Sequence, residues 1–221
     1  PGISGGYIFK NDRLGPGEAG FTTSGGGYSV HFCYVYPHEN QNPARPARQV
    51  ATVEQKAWIA NFLNRFQTVL HGANFRDPAT GYAAYIDPLS FIDHHIIVEL
   101  TKNIDGYRLS TFLHKDKNGR LNMGPVWDYN LSLGNANYND GWLTTGWYYS
   151  FYLNSYQEYP FYRRLMQDPA FMELYRQRWF ELRGGPLSQA ALTASIDAQC
   201  DFVREAQARN FKRWPVLGVY L

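Results

Sequence analysis

The stretch that most restricts how this chain can fold is short: Asn118-Gly119, inside the turn Lys115-Asp116-Lys117-Asn118-Gly119, between the runs 108–114 and 120–126. Asn-Gly is among the strongest hairpin signals, because both residues tolerate the left-handed backbone that a tight antiparallel turn demands. If the two runs zip together, whatever stands at their outer ends is delivered to one edge. Asp105, in Asn103-Ile104-Asp105-Gly106, and Asp128, in Trp127-Asp128-Tyr129-Asn130, stand there, 23 residues apart. Two carboxylates at element ends joined by one hairpin are placed as a catalytic acid and a metal ligand would be. The structural alternatives stay open: Asp105-Gly106 is also a turn dipeptide, and Asp128 could serve an Asx-turn.

Helices and strands are legible around that hairpin. Residues 7–10 and 28–36 (YSVHFCYVY) carry the aromatic and β-branched pattern of strands. The Gly-rich stretch from Gly15 to Gly27 between them has no phosphate-cradle spacing and reads as a flexible hairpin loop. Residues 37–50 hold three prolines and form a connector. Thr52-Val53-Glu54-Gln55 is a capping box opening a helix whose apolar positions are Val53, Ala57, Phe62, Phe66, Val69 and Leu70, with Gly72 suited to its end. Asp87-Pro88 starts a second helix, carrying Phe91, Ile92, His95, Ile96 and Leu100. The last third is helical: 160–167, then a helix from Asp168-Pro169 to Arg183-Gly184, then one opened by Ser188 and running toward Trp214. The fold class is α+β, as one domain with N-terminal strands and loops over 1–50, a core over 51–155 and C-terminal helices over 156–221.

Composition narrows the function classes. Aromatic residues reach 17% while charged residues stand at 18%, below the usual level of about 25%, which excludes a charged disordered tail. Net charge is +2 and the basic residues are scattered among acids, so no nucleic-acid stripe exists. No apolar run is long enough to span a bilayer. Cys33 and Cys200 lack CxxC spacing, leaving one long-loop disulfide or two buried thiols.

The segments Ser90-Phe91-Ile92-Asp93, Thr101-Lys102-Asn103-Ile104-Asp105-Gly106-Tyr107 and Gly124-Pro125-Val126-Trp127-Asp128-Tyr129-Asn130-Leu131-Ser132-Leu133-Gly134-Asn135-Ala136 resemble the spore-coat protein kinase family, CotH. The resemblance is strongest over residues 82–150. It implies an atypical protein-kinase-like C-lobe and phosphorylation of secreted or surface proteins using ATP with Mg²⁺ or Mn²⁺. Carried over by position, Asp105 is the catalytic Asp and Asp128 the metal-binding Asp, with Asn130 beside it where the family usually shows a second acid. Ser110 stands where a kinase-type loop places a metal-binding Asn. Ser110 and Trp127 are the candidate nucleotide-contact positions. The opening Gly6-Tyr7-Ile8-Phe9 resembles the middle of such proteins, so the lobe that grips the nucleotide is expected to be largely missing from this chain. A pseudokinase scaffold is the reading in which Ser110 and Asn130 bind without catalysing.

Other motifs carry less. His114-Lys115-Asp116 imitates a kinase tripeptide but falls in the hairpin turn. His94 and His95 point about 100° apart on a helix and cannot share a metal, while His95 is placed to bond Glu99 at the core edge. His31 and Cys33 face the same way on a strand without further ligands. The stretch 134–155 crowds Trp142, Trp147, Tyr148, Tyr149 and Tyr152 among asparagines. Planar rings beside amides suit a polysaccharide surface, with Trp142, Trp147 and Tyr149 as the candidate glycan platform of a carbohydrate-binding module, or of a carbohydrate-active one using Asp105 and Asp128 as its carboxylate pair; a loop packed by its own side chains is the alternative.

Overall fold

The computed structural model describes residues 3–38, 50–150 and 161–218. The connector at 39–49 and Tyr152 lie outside them. The chain divides into two compact units, Pro1–Tyr175 and Arg176–Leu221, with the boundary inside a helix.

The first unit is α+β. Five strands, β1 (Tyr7–Asn11), β2 (Gly20–Gly25), β3 (Tyr28–Tyr36), β4 (Thr111–Lys115) and β5 (Leu121–Met123), form one antiparallel sheet in the order β2-β3-β1-β4-β5. The early strands and the Asn-Gly hairpin are thus one layer, because β1 pairs with β4 from Tyr7↔Lys115 to Asn11↔Thr111. The loop expected between Gly15 and Gly27 contains β2. Its polar, Gly-flanked sequence GFTTSG hides a strand that depends on pairing with β3 and on covering by a helix. A bulge in the β1–β3 pairing skips Val35, and Phe32, Cys33 and Tyr34 are all buried while His31 is exposed. His31 and Cys33 pair with Thr22 and Gly20, two apart on β2, and so share a face as expected, although only Cys33 is buried.

The hairpin is shorter than the sequence pattern suggests. Ser110 and Gly124 both have positive φ, and Pro125 has no N–H to offer, so the ladder stops at Thr111 and Met123. Lys115 belongs to the strand rather than the turn. It is buried, with Nζ 5.2 Å from the Trp58 ring centroid and 5.1 Å from that of Phe62, while donating to the Ser4 and Asp116 carbonyls.

Helix α1 (Val53–His71) starts at the expected capping box: the Gln55 amide donates to Thr52 Oγ1, and the Thr52 amide to Gln55 Oε1. Its buried face is Ile59, Leu63, Phe66, Gln67 and Leu70. Val53 and Ala57 lie outside that stripe, and both are exposed. Gly72 ends the helix in extended rather than left-handed backbone. Helix α2 (Pro88–Thr101) is capped by Asp87, whose Oδ1 accepts from the Leu89 amide, with Pro88 in its first turn. Helix α3 (Phe161–Leu165) closes the core, where Phe66, Phe91 and Phe161 meet at centroid separations of 5.1–6.4 Å. Helix α4 (Pro169–Arg183) follows Asp168, which accepts from the Ala170 amide.

The second unit holds the end of α4 and α5 (Gln189–Arg213), which Ser188 caps through the Ala191 amide. None of the residues of α5 is buried. Cys33 is buried and Cys200 exposed, both as thiols; burial pushes the Cys33 thiol up to about 11. Among the described residues no helix is long and apolar enough to cross a membrane.

Candidate active site

The loop carrying Asp105 is built on the end of α2. Lys102 ends that helix in left-handed backbone, with the Lys102 amide donating to Glu99 O and the Asn103 amide to Val98 O, the paired bonds of a Schellman stop without the usual glycine. Buried Asn103 then accepts from the Asp105 amide at 3.1 Å, and the Asp105 carbonyl accepts from the Arg108 and Leu109 amides. Gly106 is obligatory for packing: a Cβ there would lie 2.6 and 2.7 Å from the two Val98 methyls. Its carbonyl accepts from Thr111 Oγ1 and lies 3.0 Å from His94 Nε2. Burial holds His94 down at about 4, so the ring is neutral at pH 7 and Nε2 carries the hydrogen toward that carbonyl. Asp105 itself is half-buried, with Oδ1 2.6 Å from Arg108 Nη2.

Asp128 arrives by the other route. Strand β5 ends at Met123, Trp127 packs on Phe112 of β4 at 5.6 Å between centroids, and Asp128 adopts φ +59. Its exposed carboxylate accepts from Ser110 Oγ at 3.4 Å. The chain then knits back to the end of α2: the Ile104 amide donates to Leu131 O, and the Leu133 amide to Thr101 O at 2.6 Å. Exposed Asn130 accepts through its carbonyl from Asn135 Nδ2. The hairpin thus brings Asp128 to Ser110, and Leu131 to the residue before Asp105. Ser110 and Asp128 both hold left-handed φ values without being glycine, conformations that cost about 1–2 kcal/mol and cluster where side chains must be aimed.

The third strand of the site is the segment after Leu133. Glu99 anchors it from below, accepting from the Tyr148 and Tyr149 amides, both at 2.7 Å, and from the Tyr107 hydroxyl at 3.0 Å. Burial raises the Glu99 carboxyl against the lowering effect of those donors. Tyr148, fully buried, donates to Ile104 O; Lys102 Nζ donates to the Thr145 and Gly146 carbonyls. His95 does not bond Glu99 as the sequence suggests. It is fully buried rather than at the core edge, stands 3.9 Å from the carboxylate, pairs instead with the Tyr175 hydroxyl at 3.1 Å, and is neutral because burial depresses it to about 3. Of the candidate platform residues, Trp142 and Trp147 are more than half exposed, while Tyr149 is half-buried, its ring 5.1 Å from that of His95.

Arg108 and Lys102 have no motif spacing that marks them, and Glu99 is legible only as a neighbour of His95; each acts through a partner supplied by a turn. The donors that the structure brings together at Asp128 are oxygens, its own carboxylate and the Ser110 hydroxyl; Asn130, two residues on, is exposed. Among the described residues no cluster of three or more His, Cys, Asp or Glu side chains is placed to hold a metal ion. That donor set fits a hard cation of the Mg²⁺ type, which uses one or two carboxylates and completes its shell with water and substrate phosphates. It does not fit a dedicated structural metal cage.

Helix α2, the Asp105 loop, the β4–β5 hairpin and Asp128 follow one another in the order the sequence suggests. The sequence matches the model of the CotH kinase protein family over residues 5–220, nearly the whole chain, and the chain belongs to that family. No curated protein and no solved structure matches it.

Proposed function

We propose that this chain transfers the terminal phosphoryl group of ATP, with Mg²⁺ or Mn²⁺, to a hydroxyl on a secreted or surface protein, on a kinase-like C-lobe. The carrying observation is the meeting of Asp128 with Ser110, five residues beyond Asp105, at the edge where Leu131 bonds Ile104. Phosphoryl transfer asks little covalent chemistry of a protein and much positioning and charge neutralisation. Asp105 orients the acceptor hydroxyl through an accepted hydrogen bond and takes its proton as the bond to phosphorus forms. Arg108, held against Asp105, supplies positive charge to the developing phosphate oxygens. Asp128 and Asn130 would hold the cation, which when bound neutralises phosphate charge. The uncharged Asn130 makes that site weaker than a two-acid one. Trp127, exposed beside Asp128, offers its ring to the nucleotide.

Calorimetry with ATP and Mn²⁺ tests the reading. Wild type should bind, Asp128→Ala should bind roughly tenfold or more weakly, as loss of a charged ligand implies, and Asp105→Asn should bind as wild type does. Equal weak binding by wild type and Asp128→Ala would sink the assignment. Binding without transfer to any acceptor would mark a scaffold. The exposure of Trp142 and Trp147 favours a second reading, an acceptor face for polysaccharide; unchanged retention on insoluble polysaccharides after Trp142→Ala and Trp147→Ala together would remove it.

A further inference from the structure

At the opposite edge of the sheet from the hairpin, the β2–β3 turn, the end of α1 and α3 border an open cavity of about 280 Å³ lined by Gly26, Tyr28, His71, Arg163, Arg164 and Gln167. Its described lining carries two arginines and a histidine and no carboxylate. Arg164 is fixed there. Its Nε and Nη2 donate to the Leu70 and Gly72 carbonyls at 3.1 and 2.9 Å, its Nη1 donates to Gln167 Oε1 at 2.7 Å, and its guanidinium carbon lies 3.7 Å from the Phe75 centroid. The His71 ring lies tilted against that of Tyr28, 4.5 Å between centroids, and a Cβ on Gly26 would overlap it. That leaves the ring little room to turn, yet its buried Nε2 has no hydrogen-bond partner among the described residues. One turn back on the same helix face, Gln67 is fully buried with both amide atoms also lacking partners there. A buried nitrogen without a partner, beside a locked guanidinium, costs stability that a bound anion would recover. Burial and the Arg164 charge both hold His71 below its usual range, so an anion in the cavity would relieve the second of these.

We propose that this cavity is an anion site for a compact phosphoryl group, seated between His71 and the Arg164 guanidinium. Free phosphate and a phosphorylated side chain present the same chemistry. The site stands apart from Asp105 and Asp128, which are attached to β4 and β5.

The test is an NMR titration of the His71 ring in chloride buffer with inorganic phosphate, and separately with O-phosphoserine. Saturable movement of the His71 resonances and a rise in its titration midpoint with either anion support the proposal, and the anion bound more tightly identifies the source. Gln167→Glu keeps an acceptor for Arg164 while placing a carboxylate in the lining, and should weaken binding roughly tenfold or more. His71→Gln, checked for folding by circular dichroism, should also lose binding, followed through the Tyr28 ring. Absence of saturation beyond the chloride control overturns the site, as does unchanged affinity in folded Gln167→Glu.

Discussion

The two aspartate loops of the candidate site are held in opposite ways. Around Asp105 nearly every group is committed: Asn103, His94 and Thr111 brace the backbone, Gly106 lies against Val98, and Arg108 meets the carboxylate. Around Asp128 the backbone is left-handed, the side chain is exposed, and a single long bond from Ser110 reaches it. A group that must orient a hydroxyl benefits from a rigid seat, whereas a cation ligand must stay open to water and phosphate. The difference in bracing therefore matches the division of roles proposed here.

The sharpest way to break that comparison is to remove each carboxylate and follow transfer from labelled ATP. Asp105→Asn and Asp128→Asn should each lower the rate by about 10²-fold or more, the scale of losing one group that stabilises the transition state. The comparison fails if Asp105→Asn weakens ATP–Mn²⁺ binding as much as Asp128→Asn does. Next in size is Gly106→Ala, whose methyl would press on both Val98 methyls. It should destabilise the fold by about 1–3 kcal/mol in urea unfolding, whereas an alanine at Asp128 should change stability little.

Acid sharpens the contrast differently. His94 and His95 have folded values of about 4 and 3, below the ordinary histidine value of 6.5. Their depressed values mean that stability is fully present above pH 6.5 and falls as pH drops toward 4, by about 1.4 kcal/mol per pH unit for each ring that the unfolded chain protonates. Glu99 works in the other direction. Its raised value gives stability present below the ordinary carboxylate range and lost as pH rises through its folded value. Urea midpoints measured from pH 7 to 4 should fall, and replacing both histidines should flatten that dependence. The smallest effect is at Ser110: Ser110→Gly relieves a φ of +51 and should raise stability by about 1 kcal/mol while removing the one hydroxyl that reaches Asp128.

Local chemistry was readable where a signal and its partner lie within a few residues. Thr52 and Gln55, Asp87 and Pro88, Ser188, and the Asn118-Gly119 turn all stand where their sequence context places them. Strand β2 was not readable, because Gly-Phe-Thr-Thr-Ser-Gly becomes a strand only when β3 and α1 cover it. The bulge at Val35, the full burial of His95 and the work of Glu99 follow from pairings across dozens of residues, to which no window of sequence gives access.

By itself the sequence determined the order of the elements other than β2, the hairpin and the two aspartates beyond its ends, since turn conformation and capping are decided by neighbouring backbone atoms. Tertiary structure alone decided that β1 joins the early strands and the hairpin in one sheet, that Asp128 meets Ser110, and that Glu99 pins the 148–149 backbone. Those outcomes depend on which distant donors and apolar faces can be satisfied together once the core closes, and a buried carboxylate or histidine takes its role from the partners it meets there.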